Sequence, residues 1–308
     1  MTDSDRLLDG ARIAGEIREE VRAQQTKKNK NKKKNKQKKM LVGEDPASRV
    51  YVGSKAKTCV ELGMLSRTHE LPATTNQAEV EDLVKRLNRD PDVDGVLVQL
   101  PLPRGMETHA VLDLIDPGKD VDGLHPHNVG LLVQGRPRLV PCTPAGVIEM
   151  LQREGVEVKG SRAVVVGRSE IVGKTKALML LHQHATVTVC HSRTRDLAGV
   201  CREADVLIAA VGQLALIGPE HVREGAVIVD VGTHRVTDRA TVERLFPGNE
   251  RKRKTFEKRG AVLAGDVDFE RVAPVAGKIT PVPGGVGPLT IAMLMVNTLR
   301  AAQARRGG

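Results

Sequence analysis

A chain of 308 residues exceeds one average domain, so two lobes with separate cores are the expectation. No apolar run approaches the ~20 residues of a bilayer span, and the acidic start Met1 to Arg6 is unlike a secretory signal, which points to the cytoplasm. The formal net charge of +10 invites a nucleic-acid reading, yet nine lysines and no acid lie in Lys27 to Lys39, almost the whole of that charge in one segment. Such a tract has no apolar face to bury and repels itself, so it reads as a solvated, disordered insertion. An RNA-binding or anion-binding arm is the weaker alternative, because one tyrosine, three phenylalanines and no tryptophan leave little for base stacking.

In chain order, Leu8, Ile13, Ile17 and Val21 fall near helical spacing and predict an amphipathic helix over Leu7 to Val21. After the lysine tract, Met40 to Pro46 is a truncated apolar run with a turn, and Ser48 to Leu62 reads as helix. Gln77 to Leu87 is a further helix, Asp94 to Pro103 a buried strand closed by prolines, and Thr108 to Ile115 a helix before the loop Asp120 to Asn128. Pro144 to Glu154 predicts a helix with Thr143 as N-cap and Pro144 at its first position. A regular series of β-branched runs follows at Ala163 to Gly167, Ala185 to Cys190, Val206 to Gly212 and Ala226 to Gly232, separated by helical segments. That alternation implies a parallel sheet covered by helices on both faces. Phe246 to Gly260, with Arg251 to Lys254, reads as a second basic surface insertion, and Pro288 to Ala302 as a final apolar helix. Cys59, Cys142, Cys190 and Cys201 lack C-x-x-C spacing and lie in or beside apolar segments, the setting of reduced, buried thiols rather than of disulfides or zinc.

The string Gly167-Arg168-Ser169-Glu170-Ile171-Val172-Gly173 sits after a buried strand and at the start of a helix, where free backbone amides attract a pyrophosphate. Gly167 lets the chain turn and Gly173 allows close packing, while the middle glycine of G-x-G-x-x-G is absent and Ser169 stands near its place. The strands that follow make a nicotinamide dinucleotide the expected occupant. A carboxylate at the end of the second strand would bind the ribose 2′-hydroxyl of NAD and repel the 2′-phosphate of NADP. None is present. Ser192, Arg193 and Arg195 stand there instead, with Arg168 across the turn, and they favour NADP.

In the first half, Tyr51 and Lys55 are four residues apart and share a helical face. A ring for stacking beside an amine suits acid–base work; a packed tyrosine beside a solvated lysine is the ordinary alternative. Short-chain dehydrogenases also carry Tyr-x-x-x-Lys, but after the glycine motif, whereas here it precedes. Gln99, Asp122 and the loop Pro281 to Pro288 are further polar or turn features at strand and loop ends. His125 and His127 lack third and fourth ligands and read as surface histidines, so no metal site is predicted.

Taken in order, Leu41 to Ser48, Tyr51 to Lys55, Asp94 to Pro103, Lys119 to Gly123, Pro141 to Pro144, Val166 to Ser169, Asp230 to Gly232, Gly265 to Phe269 and Pro281 to Thr290 resemble the bifunctional methylenetetrahydrofolate dehydrogenase/methenyltetrahydrofolate cyclohydrolase family. The resemblance implies an α/β fold: a Rossmann-type NADP domain over 140–287, with the basic insertion at about 246–260, and a smaller folate lobe formed by 1–139 and the returning helix 288–308, with a cleft between them. It implies Lys55 as catalytic lysine, Tyr51 as stacking partner of the folate, Gln99 as the residue orienting the lysine and Asp122 as anchor of the pterin. Leu100, Pro101, Pro283, Gly284 and Gly285 join them in the substrate site, and Gly167, Arg168, Ser169, Ile171, Val172, Gly173, Ser192, Arg193 and Thr233 hold NADP. A homodimer follows from the same resemblance. Three departures stand out: the lysine tract occupies the place of the family's first strand, leaving only Met40 to Val42, Thr175-Lys176 replaces a proline–hydrophobic pair, and Leu214 stands where proline commonly follows Val-Gly-x. The tract raises a competing reading, a catalytically impaired member of this fold whose lysines bind RNA or anions.

Overall fold

In the computed structural model, which describes residues 6–28, 34–169 and 173–306, the chain divides into two units, 14–142 with 290–308 and 1–13 with 143–289. The first unit carries most of α1 (Gly10–Lys28), then β1 (Lys36–Val42), α2 (Pro46–Glu61), β2 (Leu65–Leu71), α3 (Gln77–Arg89), β3 (Gly95–Val98), α4 (Thr108–Leu112) and α5 (Pro126–Val133). Its three strands form a parallel sheet in the order β2-β1-β3, with Lys36 opposite Leu65 and Gln37 opposite Gly95.

This overturns the expectation for the lysine tract. Asn29 to Lys33 lie outside the described residues, but α1 runs to Lys28, and Lys36, Gln37, Lys38 and Lys39 form the first half of the central strand. The period of two explains how a lysine-rich sequence can do this. Met40 and Val42 face the cluster of Val80, Leu83, Val84 and Leu87 from α3, and Lys36 on that face pairs with Asp92 at 3.0 Å. On the opposite face Gln37 donates to Thr298 Oγ1 at 2.9 Å and Lys39 Nζ to Ser66 Oγ at 2.7 Å, both side chains fully buried. Burial holds the Lys39 ammonium below its ordinary range, with the charge of Lys55 adding to the effect and Cys59 opposing it. Local propensity is thus overridden by tertiary partners, the ammonium groups of Lys36 and Lys39 each finding one.

The second unit holds α6 (Cys142–Arg153) from Thr143 onward, β4 (Arg162–Val166), α7 (Thr175–His182), β5 (Thr186–Cys190), α8 (Leu197–Arg202), β6 (Val206–Ala209), β7 (Val227–Asp230), β8 (His234–Val236), α9 (Arg239–Leu245), α10 (Glu250–Arg259), β9 (Val262–Ala264), α11 (Phe269–Val272) and β10 (Lys278–Ile279). The helix expected from Pro144 already begins at Cys142, so Thr143 and Pro144 lie in its first turn. Five strands make a parallel sheet in the order β10-β7-β6-β4-β5, whose connectivity reverses between β4 and β6. Strands β4, β6 and β7 are near-continuous apolar runs because both faces are covered. The segment read as a basic surface insertion, Phe246 to Gly260, begins at Phe246, buried with Val242 and Leu245 of α9 against Val236 and Val262 of the β8–β9 hairpin, and continues as the helix α10. The last helix, α12 (Val286–Arg305), passes from the second unit into the first after Leu289. All four cysteines are free and buried.

Candidate functional site

In the first unit, Asp45 caps α2 by accepting from Ser48 N at 2.7 Å, with Pro46 in the first turn, and this fixes the face on which Tyr51 and Lys55 stand one turn apart. Lys55 is 3% exposed, and its Nζ lies 4.6 Å from the centroid of the Tyr51 ring. It donates to Gln99 Oε1 at 3.1 Å, while Gln99 Nε2 donates to the Leu100 carbonyl at 2.7 Å. With the amide nitrogen committed to Leu100, the oxygen is the atom left to face the lysine. The backbone N–H of Gln99 donates to Met40 O, which ties this residue to the lysine-rich strand.

Asp122 stands in the turn after Asp120. The carboxylate of Asp120 accepts from Gly123 N at 3.1 Å, His125 N at 2.8 Å and Asn128 Nδ2 at 2.9 Å, so it organises the loop and Asp122 is presented by it. From α12, buried Asn297 donates to Val121 O at 2.9 Å and Val140 O at 2.7 Å. Burial pushes the Asp122 carboxyl above its ordinary range; the charge of Lys55 opposes this and that of Asp120 adds to it. Burial also pushes the Tyr51 phenol up, the charge of Asp122 adding and a hydrogen bond with Thr290 opposing. Tyr51, Lys55 and Gln99 are therefore in contact, and Asp122 is in their electrostatic reach. Leu100 is half-buried and Pro101 exposed. Thr290, Asn297 and Asp120 carry no sequence signal that separates them from ordinary helix and turn residues.

In the second unit, the turn after β4 and the segment after β5 leave adjacent strands at the same end, since Val166 pairs with Cys190. Gly167 N donates to Cys190 O at 2.9 Å, and Gly173 N and Lys174 N close back on Ser169 O at 2.9 and 3.0 Å. A Cβ on Gly167, at φ +122, would lie 2.1 Å from Ala210 O, and one on Gly173 would lie 2.2 Å from Gly167 O. Backbone packs so closely at both positions that only glycine fits there. Glu170, Ile171 and Val172 lie outside the described residues. Arg168, Ser169, Ser192, Arg193 and Arg195 are exposed, and none of these arginines has an ion-pair partner among the described residues. Thr233, also exposed, follows β7 at the same end of the sheet. These exposed cations and the lack of a carboxylate at the end of β5 fit a dinucleotide with a 2′-phosphate.

Lys176, in the first turn of α7, is 1% exposed, and its Nζ has no hydrogen-bond partner among the described residues. Burial drives its ammonium down to about 7, opposed by the charges of Asp266 and Asp230. Those carboxylates are satisfied by backbone: Asp230 accepts from Gly232, Asp266 and Val267 N–H groups, and Asp266 from Val211 and Gly212 N–H groups and the His234 ring. The loop Pro283, Gly284 and Gly285 is held by Ala11 N donating to Gly284 O at 2.9 Å and Gly285 N donating to Pro281 O at 2.9 Å.

Two family models match this chain: the catalytic domain of tetrahydrofolate dehydrogenase/cyclohydrolase over residues 8–122, and the NAD(P)-binding domain of the same family over residues 141–306. A bifunctional FolD protein of Koribacter versatilis is 50% identical over 301 residues, 98% of each chain. A second from Rubrobacter xylanophilus is 51% identical over 300 residues, 97% of this chain and 98% of its own. The crystal structure of the bifunctional dehydrogenase/cyclohydrolase FolD of Campylobacter jejuni superposes with a TM-score of 0.88 at 41% identity, covering 97% of this chain and 99% of that one. The FolD of Trypanosoma brucei, solved with NADP cofactor and an inhibitor, gives 0.87 at 36% identity over 98% of both chains.

Proposed function

The chain belongs to the tetrahydrofolate dehydrogenase/cyclohydrolase family, and from that membership we propose how its own residues divide the work of the two activities. It is a bifunctional enzyme of one-carbon metabolism that oxidises 5,10-methylenetetrahydrofolate with NADP and hydrolyses 5,10-methenyltetrahydrofolate to 10-formyltetrahydrofolate. The competing reading, an impaired fold with an RNA-binding tract, gains no support from these relatives, and Lys36 to Lys39 are occupied in a strand.

The observation that carries the assignment of roles is the Lys55–Gln99 hydrogen bond beside the Tyr51 ring. NADP, held through the turn Gly167 to Gly173, Ser192, Arg193 and Thr233, supplies the hydride acceptor when bound. The protein's part in that step is alignment, with the Tyr51 ring as a stacking surface for the folate. In the hydrolysis, water forms a C–O bond to the methenyl carbon while the Lys55 amine takes one of its two protons and hands it to N5 as the C–N5 bond breaks; the second proton leaves the hydroxyl for solvent as that oxygen becomes the formyl carbonyl. Gln99 limits the positions of the amine. Asp122 accepts hydrogen bonds from the amino and ring N–H groups of the pterin, and Leu100, Pro101 and the loop Pro283 to Gly285 complete the folate site. A homodimer in the cytoplasm belongs to the same proposal; the buried, unpaired thiols support a reducing compartment.

The test is a spectroscopic assay with methylenetetrahydrofolate and either NADP or NAD. Methenyl product should form with NADP in preference and then disappear as it is hydrolysed; no turnover by the folded protein sinks the assignment. Asp122 gives a second, pH-dependent result. Because burial raises its carboxyl, protonation removes the pterin acceptor at a pH above the ordinary aspartate range, so folate affinity should fall as pH is lowered through that raised value. Asp122→Asn should raise the KM for methylenetetrahydrofolate by about tenfold or more, with affinity for NADP unchanged. Retention of the acid limb in the variant would assign it to another group.

A further inference from the structure

The basic segment Phe246 to Gly260 has a component that the two activities do not account for. Lys252 lies on α10, and its side chain turns inward: Nζ donates to Leu263 O at 2.6 Å and to Val282 O at 2.7 Å. The ammonium also lies 4.4 Å from the centroid of the Phe246 ring. Its neighbours on that helix, Arg251, Arg253 and Lys254, are exposed, whereas Lys252 is half-buried. A single cation therefore joins three pieces of chain: α10, the strand β9, and the residue immediately before Pro283, Gly284 and Gly285.

We propose that Lys252 is a positioning residue for the folate-binding loop, holding the Val282 carbonyl so that Pro283 to Gly285 keep the geometry that receives substrate. The inference rests on the assignment of that loop to the folate site. Three observations carry it. Among the described residues the loop is held near this point by two backbone hydrogen bonds, Ala11 N to Gly284 O and Gly285 N to Pro281 O, and neither reaches Val282. The Lys252 bonds are short and join an ammonium to carbonyls, the charge-assisted kind. The stem of Lys252 is fixed at its base, since its backbone N–H donates to the cap residue Asn249, whose amide in turn donates to Glu270 Oε1 at 2.7 Å. Burial lowers the ammonium to about 8, opposed by the charge of Glu270 from α11 and reinforced by that of Arg251 on its own helix.

The experiment uses the full chain with Lys252→Met, which keeps the stem against Phe246 and removes the donor. The KM for methylenetetrahydrofolate should rise by about tenfold, the net worth of one charge-assisted hydrogen bond, while the Kd for NADP and the far-ultraviolet circular dichroism stay as in the parent. The parent's folate KM should also climb above about pH 8, where the ammonium loses its charge, and that limb should be missing in the variant. A folate KM that does not change in the folded variant overturns the proposal. So does an equal loss of NADP affinity, which would mark a general structural role. A Pro283→Ala variant separates the two levels of inference. If it raises the folate KM and Lys252→Met does not, the loop assignment stands and the role of Lys252 fails; if neither does, the loop assignment fails and takes the proposal with it.

Discussion

Lys55→Met will lower cyclohydrolase turnover by about 10²–10⁴-fold, the usual contribution of a positioned proton-transfer group, while NADP affinity stays at the parent value. The effect is large because Nζ is the only atom of this cluster that can both take a proton from water and be aimed by Gln99, whose amide nitrogen is committed to Leu100. Methionine preserves the length of the stem against Tyr51, so the loss reports chemistry rather than packing. The measurement is the rate of decay of methenyltetrahydrofolate absorbance, corrected for spontaneous hydrolysis. Full retention of that rate would remove Lys55 from the reaction. Gln99→Ala should produce a smaller loss, since the amine persists with its orientation relaxed.

The second large effect concerns stability. Lys176→Met should raise the unfolding free energy by about 1–4 kcal/mol near neutral pH, the range found when buried charges give way to apolar residues. Removing one member of a buried ion pair is ordinarily costly, but Lys176 Nζ has no hydrogen-bond partner among the described residues, and Asp230 and Asp266 are supplied with backbone N–H donors. The lysine's own desolvation therefore decides the sign. A lysine whose pKa falls from 10.5 unfolded to about 7 folded costs stability in full below about pH 7, progressively less as pH rises, and nothing above 10.5. The gain from methionine should follow that curve, greatest below pH 7 and shrinking toward pH 10. Urea titrations followed by far-ultraviolet circular dichroism test it, as the chain has no tryptophan. A variant less stable than the parent across this pH range would show that the two aspartates depend on the ammonium.

Both sites were legible in the sequence to different depths. Periodicity and β-branched runs located every strand of the second unit's parallel sheet except β10: β4, β6 and β7 because they are buried on both faces and written in apolar residues, and the exposed edge strand β5 because its β-branched residues still alternate. The Tyr51–Lys55 pair was legible because helical spacing is local, while the partnership with Gln99 depends on β3 lying beside β1. The first half of β1 was hidden for a physical reason. Lys36 to Lys39 have the composition of a disordered tract, and what orders them is supplied from Asp92, Ser66 and Thr298, far away in the chain. Lys252 was hidden likewise: within Arg251 to Lys254 four cations look alike, and only the fold distinguishes the one that faces inward.

The central place of β1 has a consequence for the newly made chain. β2 and β3 each pair with β1 and not with each other, so the sheet has no second strand until Leu65 to Leu71 exists and is incomplete until Gly95 to Val98 follows. Parallel pairings of this kind close slowly, and an unpaired strand waiting for them is a template for aggregation. Three like charges in Lys36 to Lys39 repel a second copy of the same strand during that interval, as gatekeeper residues do. The lysines whose burial weighs on the finished sheet thus guard its assembly.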